Sequence, residues 1–146
     1  MLLSITAAVL IIDQITKFLV LKNLQYHESI ALIRGVFHLT LIVNKGAAFG
    51  IFKGGLFIFI SAAIFAVTLI FLDLKKKGLG DFSLYNISLA LILGGALGNL
   101  MDRLRFGYVV DFLDFRIWPV FNIADTSITI GAILLGWSLC IRSSAK

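Results

Sequence analysis

Asp111 lies in the run Val109-Val110-Asp111-Phe112, and Asp125 ends the run Phe121-Asn122-Ile123-Ala124-Asp125, in an otherwise apolar chain. Ionisable groups at membrane depth are costly, and beside a bilayer span they mark functional sites by default. Two carboxyls in an apolar setting cannot easily ionise together if they meet. One proton is then shared, and their apparent pKa values separate. That is the electrostatic basis of aspartic proteolysis: the ionised partner takes a proton from water while the protonated partner polarises the scissile carbonyl. Whether the two side chains meet is not visible along the sequence.

Other chemistries are poorly supplied. Cys140 is the single cysteine, which excludes an intrachain disulfide and a cysteine-based metal cluster. His27 and His38 form no H-E-x-x-H motif. Ser127 lies near Asp125, but no histidine is close in sequence and there is no G-x-S-x-G elbow. No glycine-rich phosphate loop follows a strand.

The elements that must position the aspartates are membrane spans. Of 146 residues, 60% are hydrophobic and only 14% charged, with a mean hydropathy of +1.02. A soluble domain of this length carries more charge. Four apolar stretches, Leu2–Leu21, Leu56–Leu72, Phe82–Met101 and Phe121–Ile141, approach the roughly 20 residues a helix needs to cross a bilayer. They lack the period-two alternation of strands. The expectation is one compact integral membrane domain: an all-α, four-transmembrane-helix bundle whose first span is retained rather than cleaved. The net charge of +5 comes with no aromatic-interleaved patch or recognition helix, so no nucleic acid is expected. It reads instead as anchoring to lipid headgroups.

Four crossings place both termini on one side with the Asp73–Asp81 loop. The opposite side then collects Asp13, Lys17, Asn44, Asn99, Asp102, Arg103, Asp111, Asn122 and Asp125. The Lys75-Lys76-Lys77 loop looks cytoplasmic by the positive-inside tendency, but the polar side carries more Lys and Arg in total. Charge alone leaves the orientation open. In the long first connection, Val36–Val43 has partial strand character ahead of the turn-like Asn44-Lys45-Gly46, which predicts a small sheet or hairpin on the membrane surface. The third connection, Leu104 to Val120, mixes aromatics with charges and predicts an interfacial segment over the bundle.

Each polar motif also has a bland explanation. Asp13 and Lys17, four residues apart on one helix face, read first as a structural ion pair. Gly94-Gly95-Ala96-Leu97-Gly98 contains a G-x-x-x-G step that helix packing explains fully. Asn99, Asp102 and Arg103 share a face; either they form a capping and ion-pair network, or Arg103 offers planar donors to a peptide carbonyl or an acidic headgroup. Asn122 and Asp125, just after Pro119, resemble a capping box. Asp111 is the residue that resists a bland account, while Asp114 reads as an ordinary interfacial charge.

Five motifs in order, Asp13-Gln14-x-x-Lys17, Asn44-x-Gly46-Ala47-Ala48-Phe49-Gly50, Gly98-Asn99-x-x-Asp102-Arg103, Val109-Val110-Asp111-Phe112 and Phe121-Asn122-x-Ala124-Asp125, resemble bacterial lipoprotein signal peptidase, also called signal peptidase II. The resemblance covers essentially the whole chain. It implies a membrane-embedded aspartic endopeptidase with Asp111 and Asp125 as its dyad, supported by Asp13, Lys17, Asn44, Gly46, Asn99, Asp102, Arg103, Asn122 and Ala124. It implies an extracytoplasmic β-cradle from the first connection and a short, mobile interfacial helix from the third. The polar side becomes the outer face of the cytoplasmic membrane, with both termini cytoplasmic. The substrate partner is a diacylglyceryl-modified prolipoprotein, cut before its lipidated cysteine.

On that expectation Asn44 and Arg103 hold the substrate backbone, Asn99 and Asn122 fix the carboxylate rotamers, Gly46 allows close backbone approach and Phe49 covers the substrate. No metal or organic cofactor is needed. Membrane lipid is the other partner, and a monomer is expected because internal packing accounts for the G-x-x-x-G step. The main rival is a small proton-coupled transporter, which predicts polar residues through the full membrane depth. A structural assembly subunit is the second rival, and it leaves Asp111 without a reason.

Overall fold

The structure is a computed structural model that describes residues 2–46, 56–77 and 83–144. Its elements run α1 (Leu2–Asn23), β1 (Ser29–Ile33), β2 (Phe37–Asn44), α2 (Leu56–Lys77), α3 (Leu84–Phe106), β3 (Val109–Asp114) and α4 (Ile123–Ser144). All four helices are long and apolar enough to cross a membrane. The outward faces of α1, α2 and α4 expose Ile11, Phe18, Phe57, Phe65, Ile133 and Trp137. Water would penalise so much apolar surface, whereas lipid does not.

α3 is the hub. Gly94 faces Val9 and the Thr6 carbonyl of α1, Gly95 faces the Ala124 carbonyl and Ile128 of α4, and Gly98 lies against the Asp13 carboxylate. Gly131 returns the close approach from α4 toward Ser88 and Ile92 of α3. Small residues here let backbones approach within the membrane, as the G-x-x-x-G step predicts. α2 packs mainly on α3 through a half-buried stripe at Phe59, Ala63, Ala66 and Val67, ending at the buried Ile70. That stripe has the spacing of one helix face.

Two sequence expectations are adjusted. α3 runs to Phe106, a turn beyond the apolar stretch that ends at Met101, and it carries Asn99, Asp102 and Arg103 on one face as their spacing indicates. It stops at Gly107, whose φ of 78° is the left-handed conformation glycine adopts without a Cβ clash, and whose N–H reaches the Arg103 carbonyl at 3.0 Å. The third connection is not a helix: its core, Val109–Asp114, is the strand β3. Its β-branched pair Val109-Val110 and the aromatic Phe112 suit a buried strand, and β2 offers an unpaired edge.

The sheet has the order β1-β2-β3, antiparallel throughout. β2 aligns Asn44 with Val109, Val43 with Val110 and Ile42 with Asp111. An irregularity between Leu39 and Ile42 separates these pairs from His38↔Asp114. Beyond β3 the chain folds back, Phe121 exchanging hydrogen bonds with Leu113 at 2.8 and 3.1 Å, and delivers Asn122 to the start of α4. Val20 of α1 and Leu24 just beyond that helix pack with Leu41, Val110 and Phe112, seating the sheet on the bundle.

The glycine contacts set up a comparison. In Gly95→Ala the new methyl meets the Ala124 backbone carbonyl, which cannot step aside, whereas at Gly136 nothing lies within 4 Å. Thermal unfolding in detergent micelles should show Gly95→Ala destabilised by about 1–3 kcal/mol, and Gly136→Ala unchanged or slightly more stable.

Candidate active site

The site is built on buried charge. The Lys17 ammonium, 2% exposed as a residue, lies 2.9 Å from Asp13 Oδ2 and 2.9 Å from Asp102 Oδ2, and donates to Asn99 Oδ1 at 3.0 Å. The bland explanation of Asp13 and Lys17 as an ion pair is correct but incomplete, because the pair includes Asp102 of α3. Each carboxylate also holds backbone from another element. Asp13 Oδ1 accepts the Ala124 N–H at 2.9 Å, one of the amides left unpaired at the start of α4. Asp102 Oδ2 accepts the Val110 N–H at 3.1 Å. Ala124 and Val110 are the residues immediately before Asp125 and Asp111. The buried ions therefore fix the two backbones that carry the candidate dyad.

Three asparagines then orient the carboxylates, and their amide orientations follow from donor–acceptor logic. Asn44 Oδ1 accepts the Gly46 N–H at 3.0 Å, so its NH₂ faces Asp111 Oδ2 at 2.8 Å. Asn122 Oδ1 accepts the Asp125 N–H at 2.8 Å, so its NH₂ faces Asp111 Oδ1 at 2.7 Å and Asn99 Oδ1 at 3.1 Å. Asn99 Oδ1 accepts from Lys17 and from Asn122, so its NH₂ donates to Asp125 Oδ1 at 2.7 Å. In all three the oxygen is held by a group that can only donate at that contact. Their NH₂ ends are thereby turned on the aspartates.

Asn122 is the N-cap expected from sequence, and its amide also reaches Asp111. Asp111 is 1% exposed, with a donor on each oxygen. Burial and then the nearby Asp125 push its pKa up to about 7, against the pull of the Asn44 and Asn122 hydrogen bonds and of Lys17. Asp125 sits in the first turn of α4, where the helix dipole favours negative charge. Among the described residues no donor reaches its Oδ2.

Asn44, expected to bind substrate backbone, has both polar groups engaged, with Gly46 and Asp111. Arg103, expected either in an ion-pair network or free, makes no ion pair among the described residues; its guanidinium lies over the Phe59 ring at 5.2 Å. Ala124 is fully buried beneath Gly95 and Gly98, where a larger side chain would not fit. Phe49 lies outside the described residues.

Two residues carry more of the site than the sequence suggests. Gln14 Nε2 donates to Asp102 Oδ1 at 2.9 Å, Asp13 Oδ2 at 3.2 Å and the Gly98 carbonyl at 3.3 Å, bridging both carboxylates. Its position three residues before Lys17 is the available signal. Asp114 is buried, not an ordinary surface charge: Oδ2 accepts from the Thr40 hydroxyl at 2.7 Å and the Arg116 guanidinium at 3.0 Å. Although burial opposes ionisation, these bonds and the Arg116 N–H hold Asp114 below the usual carboxylate range. Only the pairing of β2 with β3 reveals that role.

Residues 5–141 match the profile of the family described as signal peptidase (SPase) II. The chain belongs to the signal peptidase II family. The lipoprotein signal peptidase of Halothermothrix orenii is 52% identical over 128 residues, covering 87% of this chain and 86% of that protein. That of Moorella thermoacetica is 49% identical over 144 residues, covering 99% and 95%. That of Caldanaerobacter subterraneus is 45% identical over 148 residues and covers both chains completely. A bacterial membrane enzyme solved by the in meso method at 2.3 Å superimposes with a TM-score of 0.91 at 34% identity, covering 99% of this chain and 90% of that one. Membership makes the chain a multi-pass membrane protease of the aspartic class. Nothing in these matches favours the transporter.

Two outcomes follow from the charges. Lys17→Met leaves Asp13 and Asp102 buried without their cation, and denaturant or thermal unfolding in detergent should register a loss of about 3–5 kcal/mol. The raised pKa of Asp111 works against the folded state: as pH climbs from the ordinary carboxylate range to about 7, the unfolded chain has released this proton and the folded one has not. Wild-type stability relative to Asp111→Asn should therefore fall over that interval and level off above it, as unfolding midpoints measured across pH will show.

Proposed function

We propose that Asp111 and Asp125 are the catalytic pair of a peptidase that removes signal peptides from diacylglyceryl-modified prolipoproteins, cutting before the lipidated cysteine. Lipoprotein signal peptide removal is the activity of the family. The assignment to these two carboxylates rests chiefly on one observation: Asn122 binds the Asp111 carboxylate through its NH₂ and the Asp125 backbone through its oxygen. Two residues from a strand and a helix are thereby held to one amide, next to a buried cation.

In this reading Asp111 carries the proton and Asp125 the charge. A water beside Asp125 Oδ2 gives that oxygen a proton as it adds to the scissile carbonyl, and Asp111 protonates the carbonyl oxygen. The tetrahedral intermediate collapses as Asp125 passes its proton to the departing amine of the lipidated cysteine and a hydroxyl of the intermediate returns a proton to Asp111. The signal peptide leaves with a new carboxylate. Arg103, free of ion pairs among the described residues, contacts the substrate backbone, with Asn44 acting on Asp111 rather than on substrate.

The site lies at the end of the bundle where α1 and α3 finish and α4 begins. We assign that end to the extracytoplasmic face and both termini to the cytoplasm. A lipid-anchored substrate stays in the bilayer, so its peptidase must offer catalytic groups at the membrane edge. One chain supplies the whole carboxylate set, which supports a monomer acting within lipid.

Asp111→Asn and Asp125→Asn should each lower cleavage of a lipid-modified prolipoprotein by at least about 10²–10⁴-fold, in a gel-shift assay, while leaving a folded, membrane-inserted protein. Wild-type activity should decline as pH rises through about 7, where Asp111 loses its proton. Efficient cleavage by both variants would remove the assignment.

A further inference from the structure

Arg103 stands in an unusual position for a half-buried cation. Asp125 of α4, Asp111 of β3 and Asp102 of its own helix all lie within its electrostatic reach, and Asp102 is already paired with Lys17 of α1. Yet no carboxylate of the described residues comes within ion-pair distance of its guanidinium. Its contact is the ring of Phe59, 5.2 Å from the guanidinium carbon to the ring centroid. Phe59 sits in the first turn of α2, half-buried between the exposed Phe57 and Ile58 and the rest of the stripe facing α3.

A guanidinium that closed on Asp111 or Asp125 would compete for the oxygen that must take a proton from water, and would spend the donors needed for substrate. A ring face attracts the cation electrostatically while offering no hydrogen-bond acceptor. We infer that Phe59 is a positioning residue, holding the Arg103 guanidinium back from the dyad so that its donors remain open to the peptide carbonyls of the substrate. This rests on the reading of Asp111 and Asp125 as the catalytic pair. It gives α2, which otherwise packs as a lipid-facing span, a part in the reaction. Packing of Phe59 against α3 is the competing explanation, and it makes no distinction among apolar side chains of suitable size.

The test is steady-state cleavage of a lipid-modified prolipoprotein by wild type, Phe59→Tyr, Phe59→Trp and Phe59→Leu across pH, with Asp111→Asn as the inactive control and unfolding midpoints measured for each. Phe59→Leu should lower kcat/KM by about two- to thirty-fold, because Arg103 is no longer held for substrate. It should also move the pH–rate profile to lower pH, since a cation drawn onto the carboxylates favours their ionised forms. Phe59→Tyr and Phe59→Trp should retain the wild-type profile. Equal losses in all three variants, a loss that follows the unfolding midpoint without a profile shift, or wild-type behaviour of Phe59→Leu would each assign Phe59 to packing alone. Cleavage by Asp111→Asn would instead overturn the dyad reading on which this one stands.

Discussion

A lysine buried between two aspartates governs this fold. Lys17 alone could not neutralise both Asp13 and Asp102, and the idealised cost of taking ions out of water is large. The balance is met by neutral donors: the Gln14 amide, and the Ala124 and Val110 backbone N–H groups. Each donor that offsets the burial cost also fixes a position. The start of α4 is tied to α1 through Asp13, and the start of β3 is tied to α3 through Asp102. Electrostatic necessity and geometric control are here the same set of bonds.

The hierarchy continues outward from that lysine. Lys17 sets the orientation of Asn99, Asn99 and the Asp125 N–H set Asn122, and the asparagines set the two carboxylates. Amides suit this work because they carry donor and acceptor on one rigid plane, so engaging one end aims the other. Asparagine orients a carboxylate without adding an ionisable group of its own. The arrangement holds the candidate dyad on regular elements, where backbone hydrogen bonding limits drift. Glycines on α3 supply the remaining condition, letting α1 and α4 approach until these short bonds can form.

The four spans were legible because their apolar runs have the length a bilayer demands, and nothing else in a chain of this size produces four such runs. The Asn122 cap and the Asp13–Lys17 pair were legible too, being contacts between residues three and four apart on one helix. The third connection was not, since its mixture of aromatics and charges fits an interfacial helix as well as a strand. What decided it was β2, whose edge lies far away in sequence. Asp114 was illegible for the same reason, as its partner Thr40 belongs to that strand.

Residue types and local spacing therefore determined which groups are candidates for chemistry, which segments are long and apolar enough to cross a membrane and which family the chain resembles. Tertiary structure decided that Asp13 would cap a helix more than a hundred positions away, that one asparagine would serve both aspartates, and that Arg103 would rest on an aromatic ring instead of an acid. The physical reason is range. Helix periodicity and hydropathy are properties of neighbours along the chain, whereas the ionisation of a buried carboxylate depends on whatever folding brings within a few ångströms of it.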